Sequence, residues 1–133
     1  RHTGYEIVNL KAARENGIAV TNVPGYSPRS VAEMTLTLTM YLLRHIGRIR
    51  QREARGDFRW VGNEAREIHD LTVGVIGTGK IGSTVARVFK ALGCNVLAND
   101  LKPTSSLEAT VKYVSKSELI KESDIFFTVL LFT

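Results

Sequence analysis

Apolar positions in this chain follow two rhythms, a helical one in the first half and short runs split by amphipathic stretches in the second. Over about 28–50, Val31, Met34, Leu38, Leu42, Ile46 and Ile49 recur at helical spacing, and Leu36, Met40 and Leu43 fill the gaps between them. The pattern predicts one long helix whose middle is apolar on nearly every side, which implies burial on two faces. One of them would lie against a second subunit or chain outside this sequence or, as the alternative, within the chain itself. Its start is punctuated: Ser27 can cap, Pro28 suits the first helical position, and Ser30 with Glu33 offers an alternative capping box. Thr35, Thr37 and Thr39 alternate with apolar residues as a strand would, but the helical punctuation around them outweighs so short an alternation.

Upstream, 10–16 suits a short helix stopped by Gly17. Ile18-Ala19-Val20-Thr21 suits a strand that ends in the Asn22-Val23-Pro24-Gly25 turn. Downstream, 71–76 reads as a strand, and 80–92 as a helix with Ile81, Val85, Val88 and Leu92 on one face and Gly93 as its stop. Strand 95–98, a short strand 111–114, a short helix 117–121 and an apolar strand 125–132 follow. Strand, helix and strand in quick succession predict an α/β fold with a parallel sheet and right-handed crossovers.

The length, 133 residues, suits one core or a core plus part of another, and two complete domains are not expected. With 44% hydrophobic and 23% charged residues, a mainly disordered or collagen-like chain is excluded. The stretch 31–43 is too short to cross a bilayer and carries Glu33, so no membrane partner is expected. Cys94, the one cysteine, can form neither an internal disulfide nor a cysteine metal cluster; no metal and a cytoplasmic location are the expectations. The net charge of +5 is concentrated where seven arginines stand against three acids between Arg44 and Arg66. No nucleic-acid motif accompanies that charge, so it reads as a solvated helix face; an RNA or DNA contact is the alternative, marked by a steep salt dependence.

The chemistry lies in Gly77-Thr78-Gly79-Lys80-Ile81-Gly82, a G-x-G-x-x-G pattern that follows an apolar strand and opens an amphipathic helix. Gly77 permits the tight turn, Gly79 lacks the Cβ that would block a pyrophosphate, and Gly82 lets helix and strand pack closely. Free N–H groups and the positive end of the helix dipole then receive the phosphates. Asp100, 18 residues beyond Gly82 at the tip of the second strand, can accept hydrogen bonds from the adenosine ribose hydroxyls while its charge repels a 2′-phosphate. NAD is therefore the expected cofactor, although Lys102 nearby works against the discrimination.

The string Leu71-Thr72-Val73-Gly74-Val75-Ile76-Gly77-Thr78-Gly79-Lys80-Ile81-Gly82 resembles the cofactor fingerprint of the D-isomer-specific 2-hydroxyacid dehydrogenases. Arg1-His2-Thr3-Gly4 is similar to that family's substrate loop, and Asn22-Val23-Pro24-Gly25-Tyr26-Ser27-Pro28 with Val31-Ala32-Glu33 to its interdomain crossing. Phe58-Arg59-Trp60 resembles the D-lactate dehydrogenase branch. The resemblance implies a Rossmann-type cofactor domain inserted into a flavodoxin-like substrate domain. Residues 1–26 would be the tail of the substrate domain's first segment, and 27–133 the first half of the doubly wound NAD-binding domain. It also implies that the long helix mediates a homodimer, that the backbone amides of Thr3 and Gly4 hold a substrate carboxylate, and that Tyr26 lines the substrate pocket. Lys80 and Ile81 would contact the pyrophosphate and Asp100 the ribose.

The same resemblance puts the family's catalytic arginine, glutamate and histidine beyond Thr133, and His2, His45 and His69 match none of those roles. No catalytic residue is expected within this chain. Arg1 stands in place of an initiator methionine, and the chain stops directly after an apolar strand that needs cover on both faces, so a fragment lacking both ends is expected. The implied function is hydride transfer between NAD(H) and a D-2-hydroxy acid/2-oxo acid pair of the D-lactate/pyruvate type, with the isolated chain inactive. A non-catalytic dinucleotide-sensing module of the corepressor type is the alternative.

Overall fold

The computed structural model describes residues 4–129. Helix α1 (Leu10–Glu15) is capped by Asn9, whose side chain accepts from the Ala12 amide. Helices α2 (Pro28–Leu43) and α3 (Ile46–Glu53) follow, then a 3₁₀ turn (Ile68–Asp70) and the alternating elements β1 (Thr72–Ile76), α4 (Lys80–Ala91), β2 (Asn95–Asn99), α5 (Ser105–Glu108), β3 (Lys112–Tyr113), α6 (Lys116–Glu122) and β4 (Ile125–Thr128). The four strands form one sheet in the order β3-β2-β1-β4, and every pairing is parallel.

Alternate β1 side chains point to opposite faces, which divides the core. Val73 and Val75 lie with Val85, Ala86 and Phe89 of α4 and with Val96 and Ala98 of β2. Ile76 lies on the other face with Leu97 and with Leu119 of α6. A Cβ at Gly74 would come within 2.4 Å of the Leu119 side chain, so a glycine lets α6 pack directly on β1. Helix α2 covers α4 through Ala32, which is buried.

Two expectations need correction. The long helix is broken: Arg44 ends α2, and His45, at φ 51°, occupies the left-handed region before α3 begins. Within this chain its middle is not covered on a second face, since Met34, Leu38 and Leu42 are 58%, 55% and 71% exposed, so the intramolecular form of that burial is not met. Ala32 and Thr39 are the residues of α2 that are fully covered. Residues 18–21 form no strand, since they find no sheet partner among the described residues. β4 ends at Thr128, and the rest of the expected strand beyond Val129 lies outside the described residues.

At the start of α2, Pro28 takes the first turn as expected, but the Ser27 side chain makes no capping hydrogen bond, because the residue sits at φ 65°. The three threonines fit the helix by bonding backwards: the Oγ1 atoms of Thr35, Thr37 and Thr39 donate to the carbonyls of Val31, Glu33 and Thr35, each at 2.8 Å.

Candidate dinucleotide site

The fingerprint turn joins the C-terminal end of β1 to the N-terminus of α4. Gly77 sits at φ 90°, a conformation glycine adopts without strain, and its amide donates to the Asn99 carbonyl at 2.8 Å, tying the turn to β2. A Cβ at Gly82 would lie 1.8 Å from the Gly77 carbonyl oxygen, so helix and turn approach as closely as backbones can. A Cβ at Gly79 would meet nothing within 4 Å. Gly79 directly precedes the first turn of α4, whose amides have no intrahelical acceptor and carry the positive end of the helix dipole. Two of the glycines are thus explained by backbone geometry, Gly77 by the turn and Gly82 by close packing, while Gly79 leaves open space beside the turn.

Lys80 and Ile81, the first two residues of α4, have different side-chain settings. Ile81 packs against the core, so what it offers outward is its amide. The Lys80 ammonium reaches back toward the turn before α2, where a Cβ at Gly25 would come within 3.2 Å of it. The Gly25–Lys80 approach brings the turn before α2 to the fingerprint. Tyr26 beside it is exposed.

Asp100 follows β2 directly, and its carboxylate is well supplied with donors. Oδ2 accepts from both the amide and the hydroxyl of Thr78, the hydroxyl at 3.1 Å, and Oδ1 accepts from the Lys102 amide at 2.9 Å. The Lys102 and Thr78 amides hold the carboxyl below the usual aspartate range, so it is charged at neutral pH. Thr78 is 1% exposed and spends its amide and its hydroxyl on Asp100; it lies beneath the acid rather than on the open side of the turn. Sequence reasoning missed the residues behind it, Tyr113 and Thr104, which bond to Thr78 from 35 and 26 positions away. No spacing rule links residues so far apart.

Of the two residues expected to hold a substrate carboxylate, Thr3 lies outside the described residues. Gly4 precedes α1, and the Glu6 carboxylate folds over it, occupying the place a Cβ would take. The arginine segment is partly neutralised: Asp57 lies between Arg52 and Arg59, Arg50 pairs with Glu53, and Arg66 with Asp124. An apolar groove of about 680 Å³ runs between the end of α2 and β4, lined by Leu38, Leu42, Phe126 and Phe127 among others, and includes no residue of the fingerprint. Among the described residues no group of His, Cys, Asp and Glu could hold a metal ion, and no helix is long and apolar enough to cross a membrane.

Parallel strands crossing over through α4, with the glycine turn and an acid side by side at their carboxyl ends, define a dinucleotide-binding α/β unit. The comparisons with known proteins are more specific. The family model for the D-isomer specific 2-hydroxyacid dehydrogenase, NAD binding domain, matches residues 36–133. A D-2-hydroxyacid dehydrogenase (NAD(+)) of Clostridioides difficile is 43% identical over 127 residues, covering 94% of this chain and 38% of the relative. A 2-hydroxyacid dehydrogenase homolog of Schizosaccharomyces pombe is 50% identical over 123 residues, covering 91% of this chain and 37% of the relative. The solved D-lactate dehydrogenase from Aquifex aeolicus, complexed with NAD and lactic acid, superposes with a TM-score of 0.89 at 38% identity, over 98% of this chain and 40% of that one. The chain belongs to the D-isomer-specific 2-hydroxyacid dehydrogenase family, and what it matches is that family's NAD-binding domain. It spans less than two fifths of the length of these curated relatives.

Proposed function

We propose that the protein carrying this chain is an NAD-dependent D-2-hydroxyacid dehydrogenase of the D-lactate type. The observation that carries this reading is the open face of Gly79 beside a charged Asp100, on a chain matched by the family's NAD-binding domain. In this reading the α4 N-terminus, with the amides of Lys80 and Ile81, binds the pyrophosphate, and Gly77, Gly79 and Gly82 shape the turn around it. Thr78 belongs to the same turn and holds Asp100, which accepts from the adenosine ribose hydroxyls. NAD, when bound, supplies the hydride acceptor or donor. Gly4 and Thr3 offer backbone amides to the carboxylate of a 2-oxo acid such as pyruvate, and Tyr26 lines the pocket above it. Residues 1–26 form the tail of a flavodoxin-like substrate domain, and 27–133 the first half of the cofactor domain.

The exposed apolar side chains of α2, Met34, Leu38 and Leu42, suit a homodimer contact in the full-length protein. The buried free thiol of Cys94 suits a reducing cytoplasm, and the paired arginines of 50–66 suit a solvated surface with no nucleic-acid or membrane partner. The test is NADH oxidation by the full-length protein with pyruvate, followed by chiral analysis of the product. D-Lactate is expected; L-lactate, or no oxidation with any short 2-oxo acid, refutes the reading.

A further inference from the structure

We propose that Tyr113 is a positioning residue for cofactor choice: through the Thr78 hydroxyl it fixes the Asp100 carboxylate that faces the adenosine ribose. This rests on the reading of Gly77–Gly82 and Asp100 as the dinucleotide site.

Donor and acceptor accounting gives the arrangement a direction. A charged carboxylate has no hydrogen to give, so the Thr78 hydroxyl must donate to Asp100 Oδ2, at 3.1 Å. That hydroxyl's own lone pair then needs a donor, and the Tyr113 phenol supplies it at 2.8 Å. The phenol oxygen accepts in turn from the Thr104 amide at 3.0 Å, and the Thr104 hydroxyl donates to the Thr78 carbonyl at 2.9 Å. From the Thr104 amide through the Tyr113 phenol and the Thr78 hydroxyl to the carboxylate, the three bonds point one way, so each polarises the next. With Thr78 1% exposed, little water can replace the phenol.

The anchor is rigid as well as directional. Tyr113 stands in β3 and pairs with Ala98 of β2, two residues before Asp100, so phenol and acid ride on adjacent strands. With Oδ2 held by Thr78 and Oδ1 by the Lys102 amide, Asp100 cannot swing away from an approaching 2′-phosphate. An acid free to turn would repel that phosphate less and meet the ribose hydroxyls less often. The Tyr113 hydroxyl therefore contributes to selectivity separately from the packing of its ring.

Affinities of the full 133-residue chain for NAD and for NADP, measured by calorimetric titration, test this. The ratio of the two is the informative quantity, because both ligands meet the same folded population and partial unfolding cancels. In Tyr113→Phe and Thr78→Val the preference for NAD should fall about fivefold, the scale of one hydrogen bond, while Thr78→Ser, which keeps the hydroxyl, should retain most of it. Weaker binding of both nucleotides at an unchanged ratio would assign Tyr113 a purely structural role and overturn the inference, leaving the site itself standing. If the unsubstituted chain binds neither nucleotide, or if Asp100→Ala leaves the preference intact, the site reading fails and the inference goes with it.

Discussion

Gly82→Ala and Gly79→Ala add the same methyl three residues apart and should have opposite effects. At Gly82 the new Cβ would sit 1.8 Å from the Gly77 carbonyl oxygen, where an ordinary contact is 3.4 Å or more, so turn and helix must part by about 1.6 Å. Neither side yields easily. The turn is held by the Gly77 amide on the Asn99 carbonyl, and α4 is seated by Val85, Ala86 and Phe89, all fully buried. Overpacking of backbone against backbone in such a setting should cost about 3 kcal/mol, or roughly 10 °C in Tm. At Gly79 the φ of −61° and ψ of −165° are open to alanine and a Cβ would touch nothing within 4 Å, so stability should stay within about 0.5 kcal/mol. NAD affinity should nevertheless drop about tenfold if the pyrophosphate lies against that face. Thermal unfolding by circular dichroism and calorimetric NAD titration separate the two effects. A Gly82→Ala chain that melts with the wild type refutes the close-approach argument, and a Gly79→Ala chain that binds NAD normally refutes the placement of the phosphates.

Two further predictions concern charge and assembly. The Thr72 amide, and after it Arg66, hold the Asp124 carboxyl below its ordinary value of 3.8; because the folded pKa is depressed, the stability it contributes is complete above that value and is lost as pH falls through the lower folded one. Asp124→Asn should therefore lower the urea midpoint at neutral pH and leave it unchanged in strong acid; an equal loss at both would refute the linkage. Leu42→Lys, on a residue 71% exposed, should leave the fold intact but convert the full-length protein from dimer to monomer by light scattering. An unchanged dimer mass would rule out this face of α2 as the contact.

The second half of the chain was the more legible because its signals are local. A fully buried parallel strand reads as an apolar run, and 71–76 and 95–98 differ from β1 and β2 by one residue each. The glycine spacing likewise carried the tight turn at Gly77 and the close packing at Gly82, since each is a backbone property of that residue. The misreadings have physical causes. Helical apolar spacing continues unbroken through Arg44 and His45, so nothing in the pattern marked the left-handed turn there. The run 18–21 has the composition of a strand, but a strand exists only with a partner, and composition says nothing about partners. The Tyr113–Thr78–Asp100 series could not be read because tertiary folding, not spacing, brings its members together.

On the reading proposed above, Asp100 serves both the ribose and the fingerprint turn, and that double duty constrains how this lineage can change. An exchange of cofactor preference usually begins by removing the acid at the end of the second strand. Here the same carboxylate is the acceptor for the buried Thr78 amide and hydroxyl, so losing it leaves two donors stranded inside the fingerprint turn. Drift toward NADP would have to pass through a variant with a weakened turn, or first acquire a neutral acceptor in the same place. Asparagine with its oxygen turned to Thr78 keeps that acceptor and sheds the charge, giving up only the bond from the Lys102 amide, and is the shortest such path.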